Sequence, residues 1–208
     1  MRVHFVTGNQ NKVTEASGIL SPLGFVIERL LIGGQVPDLI EPQAEGIEEI
    51  AISKLEQAIS LTMGTEFENE VLLVEDSGLF IDSLSGFPGP YSSFVHETIG
   101  LSGVLSLMSG ETDRGAEFRA VAAVSFQGNI LTSTGICRGV ISENISGDSG
   151  FGYDPISSRA VEAWPATARI KLTVRFKQAL SATTTSVNAV FEHIPVFTGK
   201  RPLGALFA

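Results

Sequence analysis

Two acids directly after four apolar residues, in the run Val71-Leu72-Leu73-Val74-Glu75-Asp76-Ser77-Gly78, are where this chain could first do chemistry. The apolar run predicts a buried strand. Carboxylates at the C-terminal end of such a strand face the crevice where open α/β sheets place reactive groups. Magnesium takes one or two carboxylates together with phosphates and waters, so this pair suits a metal-assisted reaction on a phosphate compound. The alternative is an ordinary turn, for which Asp-Ser-Gly is good chemistry. A second cluster, Thr7-Gly8-Asn9-Gln10-Asn11-Lys12, lies between a short strand-like run and a helical pattern. Unsatisfied N–H groups at a helix N-terminus, with a glycine that admits a close ligand and a lysine that adds full charge, make a phosphate site. The same residues also read as a capped turn, with Thr7 or Asn9 as the cap and Lys12 in solvent. A third cluster is the acidic loop of Asp38, Glu41 and Glu45, ahead of Lys54. Lys54 interrupts an apolar stripe between Ala51 and Leu55, so it reaches into a cleft or snorkels to solvent. In Phe151-Gly152-Tyr153-Asp154-Pro155 an aromatic could stack on a base and a carboxylate could accept from ring N–H groups; a tight turn with an anchored aromatic is the other reading.

The elements that must hold these residues follow from periodicity. Val3 to Val6 predicts a strand, and Val13, Ala16, Ile19 and Leu20 predict a helix over 11–20. Residues 33–46 read as a loop. Ile47, Ile50, Ala51, Leu55, Ala58 and Ile59 follow helical spacing. A stiff turn is expected over 86–91, a helix over 100–108, and a hairpin from strands over 118–126 and 130–138. Residues 169–182 fit helix or strand, and 195–208 read as a loosely attached tail. The mixture predicts an α/β or α+β single domain.

Composition narrows the function. The chain has 208 residues, 43% of them hydrophobic, enough for one domain with a sizeable core. A net charge of -9 disfavours a nucleic-acid face but allows a small anionic substrate bridged by a cation. Cys137 is the single cysteine, which suits a reducing, cytoplasmic setting, and its place in a strand pattern predicts a core position. Neither a signal peptide nor an apolar stretch long enough to span a bilayer is visible. His4, His96 and His193 lack metal-ligand spacing, so zinc is not expected.

The order Thr7-Gly8-Asn9-x-x-Lys12, Val74-Glu75-Asp76-Ser77-Gly78, Gly86-Phe87-Pro88-Gly89-Pro90-Tyr91-Ser92 and Gly150-Phe151-Gly152-Tyr153-Asp154-Pro155 resembles the inosine/xanthosine triphosphate pyrophosphatases, the Ham1-like family. The resemblance runs clearly to about residue 156. It implies an α/β fold, elongated and two-lobed, with a long mixed sheet flanked by helices and a central cleft. It also implies a homodimer, and hydrolysis of ITP, dITP and XTP to the monophosphate and pyrophosphate. By motif, Thr7, Gly8, Asn9, Gln10, Asn11 and Lys12 would hold the triphosphate, with Lys12 also catalytic. Asp76 would be the catalytic carboxylate and, with Glu41, would bind Mg2+. Lys54 and Ser77 would contact substrate, Phe151 would stack on the purine, and Gly152, Tyr153 and Asp154 would help recognise it.

After Pro155 the family pattern stops. A faint echo at residues 169–175 aligns Arg169 with an expected lysine and Arg175 with an expected arginine, while Val174 stands where a histidine is expected. The break fits divergence of the segment or an altered reading frame near codon 156. The pyrophosphatase domain is accordingly drawn over 1–182, with a divergent tail over 183–208. Two alternatives stand beside the enzyme: a nucleotide-binding protein of the same fold with weak or no catalysis, and a Maf-like pyrophosphatase, which the Thr-Gly-Asn start and the Phe-Gly-Tyr-Asp-Pro segment disfavour.

Overall fold

The computed structural model describes residues 1–126, 128–146 and 152–158. The expectations for Phe151, Arg169, Arg175 and the tail lie outside these residues.

One mixed sheet organises the chain. Its parallel part is β1 (Arg2–Phe5), flanked by β2 (Val26–Arg29) and β3 (Leu72–Ile81). Parallel neighbours need a crossover, and α1 (Gln10–Leu20) supplies it between β1 and β2. Helix α2 (Ile47–Thr62) lies between β2 and β3 in the chain. The two-residue strand β4 (Pro88–Gly89) pairs with the end of β3. Helices α3 (Ser92–Thr98) and α4 (Gly100–Leu107) follow, then the long antiparallel strands β5 (Gly115–Phe126) and β6 (Asn129–Ile141) and the short β7 (Ser157–Ser158). The strand order is β2-β1-β3-β5-β6-β7.

Side-chain alternation along β3 sorts the core onto two faces. Leu72, Val74 and Phe80 pack with Ile47, Ala51, Leu55 and Ala58 of α2. Leu73 packs on the other face with Val13 and Leu20 of α1. Further along that face, Leu79 and Ile81 meet Val95 of α3, Val104 of α4, and Tyr153. Cys137 is buried in this last cluster, as its place in a strand pattern predicts.

Local expectations for β3 are corrected. Strand β3 does not end at Val74, and Asp-Ser-Gly is not a turn. β5 pairs with β3 residue by residue from Leu72↔Ser125 to Ile81↔Ala116, so the ladder carries the strand through both acids. Turn-forming residue types lose to that long-range pairing. Gly78 belongs to the strand through its pairing with Arg119, and it is glycine because a Cβ there would meet the backbone oxygen of Gly89 at 2.2 Å. The stiff turn over 86–91 contains a cis Phe87–Pro88 bond and the strand β4. Neither α3 nor β2 was expected. The helix over 100–108 and the hairpin are present, the hairpin strands extending beyond their predicted ends.

Candidate active site

The site forms where β1 ends and β3 continues. The β1–β3 pairing stops at the bond from the Val6 amide to the Leu73 oxygen, so from Glu75 onward β3 has no β1 neighbour. The chain leaving β1 turns through Thr7-Gly8-Asn9 into α1. Asn9 is the cap: its side chain accepts from the Asn11 amide at 2.9 Å, and its own amide donates to Thr7 Oγ1 at 3.1 Å. This local bonding forms the turn and leaves the first turn of α1 beside the gap in the sheet.

The parity of β3 then distributes its acids. Glu75 and Asp76 are consecutive, so their side chains leave opposite faces of the strand. Glu75 shares the parity of Leu73, the α1 face, and meets Lys12 of α1. Lys12 Nζ lies 2.7 Å from Glu75 Oε2, a charge contact without hydrogen-bond alignment, and donates to the Glu75 backbone oxygen at 3.2 Å. Asp76 shares the parity of Val74, the α2 face, and meets Lys54 of α2. Lys54 Nζ donates to Asp76 Oδ2 at 2.6 Å and also to Glu41 Oε1. Lys54 therefore reaches the cleft. Glu41 is held there because its loop is pinned to α2: the Ile40 amide donates to Gln57 Oε1 and Gln57 Nε2 donates to the Ile40 oxygen, both at 2.8 Å. Asp76 Oδ1 accepts from the Ser77 amide at 2.9 Å. Burial works to lower the Lys54 pKa, but the charges and hydrogen bonds of Asp76 and Glu41 outweigh it and hold the ammonium above the ordinary lysine value.

The far wall is built on α3. Ser92 Oγ accepts from the Leu79 amide and donates to the Gly89 oxygen, fixing the start of α3 on β3 and β4. Tyr153 donates its hydroxyl to the Ser92 oxygen at 2.7 Å, and its ring stands edge-on to His96 at 5.3 Å. Burial pushes the Tyr153 hydroxyl up to about 12. A cavity of about 520 Å³ runs between these ends, a volume in the range of small-molecule sites.

Of the residues the sequence singles out, Thr7, Gly8, Asn9, Lys12, Glu41, Lys54, Asp76, Ser77, Gly152, Tyr153 and Asp154 line this cavity. Gln10 and Asn11 do not. Both are exposed, and Gln10 accepts from Arg29. Glu75, which the sequence offers only as one of a pair of strand-end carboxylates, also lines it, as do Ser92, His96 and Glu97, to which the sequence assigned no role. The parity of Glu75 was available as a signal, whereas His96 depends on α3.

The donor set suits a hard divalent cation. Glu41 and Asp76 converge on a single positive charge, and both are carboxylates. Among the described residues no group of three or more His, Cys, Asp or Glu is gathered. A cation here would take its remaining oxygens from substrate and water, as magnesium does. Among the described residues no helix is long and apolar enough to cross a membrane.

Known proteins resemble this chain in sequence and in fold. A model described as the Ham1 family matches residues 3–182. A protein named dITP/XTP pyrophosphatase from Methanopyrus kandleri is 44% identical over 157 residues, covering 75% of this chain and 78% of its own. One of the same name from Pyrococcus horikoshii is 36% identical over 196 residues, covering 94% and 98%. The solved Ham1 protein of Staphylococcus aureus superposes with a TM-score of 0.73 at 23% identity, covering 88% of this chain and 100% of its own, which speaks for the fold.

Proposed function

The chain belongs to the Ham1 family, and on that premise we propose that it hydrolyses the non-standard purine nucleoside triphosphates ITP, dITP and XTP to the monophosphate and pyrophosphate. The observation that carries the reading is the pairing of neighbouring β3 acids with lysines from both faces of the sheet, inside one cavity that starts at a capped helix N-terminus. In this reading Thr7, Gly8, Asn9 and Lys12 hold the triphosphate, while Gln10 and Asn11, outside the cavity, belong to the capped first turn that presents them. Lys12 and Lys54 neutralise its charge. Water attacks the α-phosphorus, the bond to the bridging oxygen breaks, and pyrophosphate leaves. Asp76 takes the proton of the attacking water, and Ser77 contacts the substrate. Asp76 and Glu41 would hold Mg2+, which would supply neutralisation of the charge on the substrate. Tyr153 and Asp154 face the base end, where Phe151, Arg169 and Arg175 belong by resemblance. The homodimer is carried over from the same resemblance. The cytoplasmic setting rests on the single cysteine.

The test is pyrophosphate release from ITP, XTP, dITP, ATP and GTP with and without magnesium. Magnesium-dependent release from ITP, dITP or XTP, with little from ATP or GTP, is the expected result. Tight binding of ITP without release would identify a nucleotide-binding protein instead. Asp76→Asn is expected to lower kcat by about 10³-fold, within the range for loss of a general base. Near-wild-type turnover of that variant at saturating magnesium would remove Asp76 from its assigned role.

A further inference from the structure

Lys54 donates to the same two carboxylates that are assigned to the divalent cation. We propose that Lys54 is a built-in placeholder: its ammonium holds Asp76 and Glu41 together, gives them up to the cation when nucleotide enters, and passes to the phosphates. The inference rests on the proposed assignment of those two carboxylates.

Three observations carry it. Asp76 and Glu41 come from different elements, a strand and a loop, and both point at one atom, Lys54 Nζ. Two negative charges brought that close repel each other unless a cation lies between them, less so at Glu41, whose side chain is 67% exposed, than at Asp76, at 16%. The Lys54 side chain is only 13% exposed, so an ammonium expelled without a new anion would be left poorly solvated and unpaired. The stem is free to make the exchange: α2 is fixed by Ala51, Leu55 and Ala58 in the core, while lysine carries its charge on a flexible four-carbon chain.

Lys12 and Glu75 do not exchange in this way. Glu75 is 7% exposed, on the opposite face of β3 from the Asp76 side chain, and its partner is Lys12. Lysine has three donors, so Lys12 can keep Glu75 and add a phosphate oxygen. Glu75 is thus a positioning residue for Lys12.

A metal entering alone must displace a charge that has no other partner, whereas metal and triphosphate together give every charge a new one. Metal and nucleotide therefore bind with positive coupling, and Lys54 sets part of it.

Mn2+ binding followed by electron paramagnetic resonance, with and without a non-hydrolysable α,β-methylene analogue of ITP, reads this directly. Lys54→Met is expected to bind Mn2+ alone about tenfold more tightly than wild type, and to lose about the same factor of coupling to the analogue. Lys54→Arg, which keeps the charge between the carboxylates, should bind Mn2+ alone no more tightly than wild type. Lys12→Met and Glu75→Gln should leave Mn2+ binding as it is. The proposal is overturned if Lys54→Met gains no affinity, if Lys12→Met gains as much, or if Glu75→Gln loses it. If methionine destabilises the fold, Lys54→Gln carries the same expectations. Pyrophosphate release from ITP, run in parallel, separates the two readings. Release by the wild type without a Lys54→Met gain refutes the placeholder alone. A gain without any release supports the placeholder and refutes the assigned reaction.

Discussion

Gly78 shows how a residue two positions from the chemistry keeps it in place. It lets β4 approach β3 so closely that even one methyl group would strike the Gly89 carbonyl. Gly78→Ala is expected to cost about 1–3 kcal/mol, an overpacking cost, and to displace the Ser92 bridge between β3 and β4. Urea unfolding would measure it, and an unchanged midpoint would show that β4 moves away freely. At this scale much of the site was legible. Lys12, Lys54 and Asp76 stood out by type and spacing, although Lys54 could equally have turned to solvent, and the resemblance singled out Glu41 from its acidic loop. The pairing of Glu75 with Lys12 was not legible, because matching each acid with its own lysine requires knowing that the strand continues past Val74.

At the scale of elements, Tyr153 joins the short turn after the glycine-rich segment to the start of α3 through its bond to the Ser92 oxygen. Burial raises its pKa from 10.0 to about 12, so the folded chain keeps this proton where the unfolded chain has lost it. The stabilisation is therefore whole below pH 10 and falls as pH rises toward 12, by on the order of 2 kcal/mol. Thermal melts from pH 9 to 12 should show this decline in wild type and a shallower one in Tyr153→Phe; parallel declines would place the titration elsewhere. The elements themselves were unevenly legible. Helix α2 and the hairpin announced themselves by strong periodicity. Helix α3 did not, because its seven residues have only Ser92 and Val95 buried. His96 and Glu97 escaped notice with it.

Across the whole molecule, one sheet with helices on both faces links the site to the core. Leu55 is fully buried under α2, immediately after Lys54. Leu55→Ala is expected to lower stability by about 2–5 kcal/mol, and activity should fall at the same temperature as the helical signal. Activity lost well below that temperature would mean that α2 moves as a separate unit. That helices and strands share one domain was legible from the alternation of patterns along the chain, while the mixed sheet flanked by helices followed from the family resemblance. Its strand order was not legible, since β3 must be known to reach Ile81 before β5 can be aligned with it. The continuous alternation of β3 also bears on how this chain can change length. Removing one residue between Leu72 and Val74 while keeping the downstream ladder would exchange the two buried faces of the stub, so that side chains shaped for the α1 core meet the α2 core and the reverse. Removing two would preserve every orientation. Natural gains and losses of chain in this strand should therefore come in even numbers, and an odd one should be found only beside a bulge that restores the count.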